Sequence, residues 1–110
     1  MAKYLVIESR DPYEFADANY LYDVAADLGR NGNEVTFFLI QNGVLVSRRE
    51  AQGHKLGDLQ AAERIKILAD DFSLRERGIR REDIAPGVQV SNVGSLVDLL
   101  VEDGRKAIWH

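Results

Sequence analysis

Arg64-Ile65-Lys66-Ile67-Leu68-Ala69-Asp70-Asp71-Phe72-Ser73-Leu74-Arg75-Glu76-Arg77-Gly78 is the stretch whose reading decides the fold. Ile65 to Ala69 is an apolar run of strand length. The acidic pair Asp70 and Asp71 interrupts it, and a helical segment follows that Gly78 is placed to close in the left-handed conformation. A strand running directly into a helix start turns backbone N–H groups toward the carboxyl end of a sheet, where open α/β folds place their sites.

The same alternation extends in both directions. Tyr4 to Ile7 and Glu34 to Ile40 are nearly unbroken apolar runs rich in β formers, as strands covered on both faces are. Between them, Asp11-Pro12-Tyr13-Glu14 reads as a helix start near Pro12, with Asp11 as N-cap and Glu14 reaching back. Phe15, Ala18, Leu21, Tyr22, Ala25 and Leu28 then recur at steps of three and four as the packed face. Gln41-Asn42-Gly43 leaves the second strand, and Val44, Leu45 and Val46 read as a short helix or a glycine-turn loop. Ser47 to Asp58 has no clear periodicity and is the best candidate for a mobile loop. Leu59 to Ala62 makes a brief helix.

Beyond Gly78, Arg80-Arg81-Glu82-Asp83 is a charged connection, and Pro86-Gly87 turns the chain into a strand at Val88 to Val90. Ser95 is a plausible cap for a last helix with Leu96, Val97, Leu99, Leu100 and Val101 as its apolar face. Lys106 to Trp109 closes the chain as a strand. This order predicts a three-layer α/β/α sandwich with a roughly five-stranded parallel sheet and right-handed crossovers, built as a single domain over residues 1–110.

The ending Ser73-Leu74-Arg75-Glu76-Arg77-Gly78-Ile79 resembles the segment of the DsrE/DsrF-like family in which a cysteine precedes Leu-x-x-Arg-Gly-Ile. The opening strand, the long helix, and Asn33-Glu34-Val35-Thr36-Phe37-Phe38-Leu39 followed by Gly43-Val44 extend the likeness almost end to end. In that family of sulfur-relay and sulfur-oxidation proteins the cysteine carries a persulfide, and a second cysteine sometimes lies three residues earlier. Those positions here are Ser73 and Asp70. The resemblance implies small subunits packed into trimers or hexamers, or a hetero-oligomer in which a relative retains the cysteine, and such assembly would bury apolar surface left by the Val44 to Val46 segment.

Cysteine is absent from all 110 residues. Its absence removes disulfides, persulfide carriage, thiolate nucleophiles and Cys-ligated metals, and argues against a persulfide-transfer enzyme. A net charge of −4 gives no reason to expect nucleic acid as partner. No apolar run approaches the ~20 residues of a membrane span, and the first residues enter a strand pattern directly, so a cytoplasmic location is the expectation.

If the sheet is parallel, Ser9 and Arg10, Asn42 and Gly43, Asp70 and Asp71, and Ser73 gather at its carboxyl edge as a candidate pocket for a small polar or anionic ligand. Ordinary caps and turns account for the same residues. Ser73 lacks the base a serine nucleophile needs, so no catalytic residue is assigned. Asp70 and Asp71 have no further ligands at recognisable spacing, so neither a metal nor another cofactor is assigned. His54 reads as a solvated loop residue. Arg75, Arg77, Arg80 and Arg81 are the candidate partner surface, or else ion pairs with Glu76, Glu82 and Asp83.

Overall fold

The computed structural model describes residues 1–62 and 64–110. Five strands form one sheet: β1 (Lys3–Glu8), β2 (Glu34–Leu39), β3 (Ile65–Asp70), β4 (Val88–Ser91) and β5 (Arg105–Trp109). Their order across the sheet is β4-β3-β2-β1-β5, and every neighbouring pair is parallel. The central strands carry apolar side chains on both faces because both faces are covered. Leu5, Val6, Ile7, Phe37, Phe38 and Leu39 have no exposed surface.

Four helices supply the outer layers: α1 (Ala18–Arg30), α2 (Leu56–Gln60), α3 (Asp71–Glu76) and α4 (Val93–Leu100). On one face Leu21, Tyr22 and Ala25 of α1, Leu56 and Leu59 of α2 and Leu74 of α3 pack on Val6, Phe37 and Ile67. Tyr22 and Phe37 meet with ring centroids 4.8 Å apart. On the other face Leu96 and the half-buried Leu99 of α4 cover Leu5, Ile7, Phe38 and Leu68. These are the three layers the alternating sequence predicts.

The first helix begins later than its signals suggest. Asp11 Oδ1 accepts from the N–H groups of Tyr13 and Glu14, both at 2.9 Å, and the Phe15 N–H reaches the Asp11 carbonyl at 3.1 Å. That is one capped turn, and it does not propagate. The next bonds, Ala18 N–H to Phe15 O and Tyr20 N–H to Asp17 O, step by three residues before α1 proper starts. Phe15 leaves the packed stripe: its ring lies beneath the Arg10 guanidinium at 5.0 Å and is 38% exposed.

The junction before α4 also differs. Asn92 is the cap, its Oδ1 accepting from the Ser95 N–H at 2.9 Å, so Ser95 stands inside the first turn. Of the expected apolar face only Leu96 and Leu99 point at the sheet. Val93, Val97, Leu100 and Val101 form a second stripe, exposed to solvent.

Between β2 and α2, residues Gln41–Ser47 wind as a 3₁₀ helix that buries Val44 and Val46 completely. The aperiodic segment after it is fastened to the rest of the chain. Ala85 N–H bonds to Ser47 O at 2.8 Å, Arg49 N–H to Asp83 O at 2.7 Å, and Lys55 pairs with Asp23 at 2.9 Å. His54 is half-buried, with Nε2 3.0 Å from Ala51 O and Nδ1 accepting from the Leu56 N–H, which fixes its tautomer. The brief helix before β3 lies at Leu56–Gln60, three residues earlier than the pattern suggests, because Leu56 as well as Leu59 is drawn into the core.

Candidate functional site

The carboxyl ends of β2 and β3 meet through Ser73. Asp70 caps α3 with Oδ2, which accepts from the Ser73 N–H at 2.9 Å and from its hydroxyl at 2.7 Å. The Ser73 Oγ in turn accepts the Gln41 N–H at 2.8 Å, satisfying the first free donor of the 3₁₀ helix. Gln41 takes a positive φ of 50°, a conformation few non-glycine residues adopt, and this bond supports it. Ser73 is 4% exposed and Asp70 3%. The hydroxyl therefore gives and receives within the protein, with no free lone-pair role toward solvent.

One turn further on, Arg77 closes the network. Its Nε donates to Asn42 Oδ1 at 2.9 Å and its Nη1 to the Ser73 carbonyl at 3.1 Å. Gly78 follows at φ 67°, the left-handed stop expected of it. Asp71 stands on the first turn of α3, outside these bonds, and lines a second surface cavity with Leu74 and Arg75. Arg80 is tied up locally, 3.1 Å from Asp83 and 3.4 Å from Glu82. The bond to Asp83 is the main cause of a raised Arg80 pKa, and its counterpart holds the Asp83 carboxyl below its ordinary range. Arg75 and Arg81 are exposed.

Along the same edge, at the end of β1, Ser9 and Arg10 take no part in the Ser73 network. Ser9 Oγ donates to the His110 carbonyl at 2.8 Å, and the Arg10 guanidinium covers Phe15. Gly43 links the two regions: a Cβ there would lie 2.2 Å from the Glu8 carbonyl oxygen, so only a bare backbone fits.

Two features lie outside the candidate pocket and the candidate partner surface read from the sequence. Glu8 is fully buried and bonds His110, which also reaches Asp17 at 3.1 Å. The hydroxyl of Tyr22, buried nearby, has no partner among the described residues. Burial raises its pKa, with the Glu8 charge adding to the effect. The signal was a glutamate ending an otherwise apolar strand. The other feature is the tandem Arg48 and Arg49, which lie with Arg77 on the wall of a surface cavity of about 640 Å³. Ser73 does not line it. Among the described residues no group of three or more His, Cys, Asp or Glu could hold a metal ion, and no helix is long and apolar enough to cross a membrane.

A parallel five-stranded α/β/α protein with a strand-to-helix junction at its carboxyl edge is the class that this fold and site define. The chain belongs to the DsrE/DsrF-like family, whose model matches residues 2–109. Its fold is shared by the YchN protein of Escherichia coli, with a TM-score of 0.83 at 18% identity over 98% of this chain and 100% of that one. It is also similar to MTH1491 of Methanobacterium thermoautotrophicum, a protein of unknown function, with a TM-score of 0.70 at 23% identity over 97% and 96% of the two chains. No curated protein matches the sequence. The family connects the chain to sulfur relay.

Proposed function

We propose that this chain is a non-catalytic DsrE/DsrF-like subunit that works in the cytoplasm by assembling with copies of itself or with a cysteine-bearing relative, in intracellular sulfur transfer or sulfur oxidation. One observation carries the reading. The position that holds the persulfide cysteine in the family is Ser73, a buried hydroxyl bonded in both directions, in a chain without any thiol. Such a subunit cannot hold transferable sulfur, so its contribution comes through contact.

The surface supports assembly, though not where the sequence suggests. Val44 and Val46 are in the core and leave no apolar patch. The exposed apolar stripe lies instead on α4, as Val93, Val97, Leu100 and Val101. Covering it in an oligomer would remove apolar area from water. Arg75, Arg77 and Arg81 offer a basic surface beside the Ser73 junction to an acidic partner.

Light scattering on the purified chain tests the proposal, read together with capture of a cysteine-bearing relative from native extract. A trimer or hexamer, converted to monomer by Val97→Glu with Val101→Glu, is the expected result. A 12.4 kDa monomer at micromolar concentration that also retains no such relative would overturn it.

A further inference from the structure

The cavity beside the Gly78 turn has three arginines on its wall, Arg48, Arg49 and Arg77. None of the three lies within 4.0 Å of a carboxylate among the described residues, whereas Arg30, Arg80 and Arg105 all do. Two of them are nevertheless held in place. Arg77 is tethered by Asn42 Oδ1 and the Ser73 carbonyl, and Arg48 Nε donates to the Leu45 carbonyl at 2.8 Å. Neutral acceptors fix the direction of these two cations, while the charge of Arg49 acts at longer range on Asp83 and helps to lower its pKa.

Carboxylates share the wall. Glu82 and Asp83 are engaged by Arg80, at 3.4 and 3.1 Å, and Glu50 is exposed. Tyr13, 47% exposed, also lines the cavity. The cavity volume of about 640 Å³ falls within the range of roughly 300–1,000 Å³ that small organic ligands occupy, well above the size of one inorganic oxyanion.

We propose that this cavity binds a small organic molecule through a single compact oxyanion head, a phosphate, sulfonate or carboxylate. Arg49 and Arg77 grip the head as guanidinium forks do, and Tyr13 contacts the body of the ligand. The head is single because a second anionic group would approach Glu50, Glu82 and Asp83. Nothing in this assignment requires a protein partner; Arg77 is shared with the surface given to one above, whereas Arg48 and Arg49 lie outside it.

Amide-shift titrations of the full chain with phenyl phosphate, benzoate and inorganic phosphate, at matched ionic strength, test it. Saturable shifts are expected at residues 48–52 and 77–79, with phenyl phosphate or benzoate binding about tenfold tighter than inorganic phosphate. Arg49→Gln should weaken that binding about tenfold and leave the melting temperature nearly unchanged, because among the described residues Arg49 hydrogen-bonds through its backbone N–H alone. Arg30→Gln, on an exposed pair at the end of α1, should change nothing. If Arg77→Gln disturbs the Asn42 tether and lowers the melting temperature, Arg49→Gln still decides. Three results would each overturn the assignment: no saturation up to about 10 mM, equal affinity for inorganic phosphate, or equal losses in the Arg49 and Arg30 variants.

Discussion

His110 Nδ1 lies 2.9 and 3.0 Å from the two carboxylate oxygens of Glu8, joining the end of β5 to the end of β1 around a side chain with no exposed surface. Burial raises the Glu8 carboxyl above its ordinary 4.5, against the opposing pull of the Arg10 N–H and His110. For His110 burial acts downward, yet the bonds to Asp17 and Glu8 carry it above 6.5.

Both groups therefore bind protons more tightly in the folded chain than in the unfolded one. Stability rises with pH only where the unfolded state holds more protons, so here it falls. The loss begins above 4.5 as Glu8 ionises and continues above 6.5 until His110 has titrated, the two behaving as a coupled pair. The lowered carboxyls of Asp83 and Glu102 act the other way, but only on acidification toward and below their ordinary 3.8 and 4.5. Melting temperatures should be lower at about pH 8 than at about pH 5.5, with the difference reduced in Glu8→Gln. A wild-type profile that rises over that interval would remove this account.

Restoring the family's residue should not restore its chemistry. In Ser73→Cys the sulfur would occupy a site 4% exposed, where the present hydroxyl lies 2.7 Å from the Asp70 carboxylate. Desolvation and a neighbouring negative charge both raise a thiol pKa and suppress its reactivity. Labelling with a disulfide reagent near pH 8 should run at least about tenfold slower in the folded variant than after unfolding in urea. Equal rates would show that the junction opens more readily than its hydrogen bonds imply.

Gly43→Ala tests the close approach of the 3₁₀ helix to β1. Its new carbon would overlap the Glu8 carbonyl at 2.2 Å, and that partner is backbone at the end of an interior strand, paired on both sides. A loss of about 3 kcal/mol or more in urea unfolding is expected, at the severe end for single substitutions. Gly57→Ala, where a Cβ meets nothing within 4 Å, is the matched control and should cost little.

The sheet was readable because strands such as Phe37-Phe38-Leu39 are apolar on every position, a pattern that only burial on both faces explains. The start of α1 was not. Asp11, Pro12 and Glu14 carry correct local signals, but Phe15 settles under Arg10 and the turn stops. At the site, Ser73 was identified by its motif. Its bond to Gln41 joins residues remote in sequence and has no local signature. The same holds for the cavity wall, which exists because Arg48 forms an isolated bridge with Ile84 and so brings the tandem arginines beside Gly78.

The two faces of the sheet are unequally clad, and this bears on how the molecule breathes. Three helices shield one face, while α4 shields the other through little more than Leu96 and Leu99. Lifting α4 breaks few contacts, so its amide protons should trade for deuterium through detachment of that helix alone. Those of β1 and β2 must wait for the whole chain to come apart.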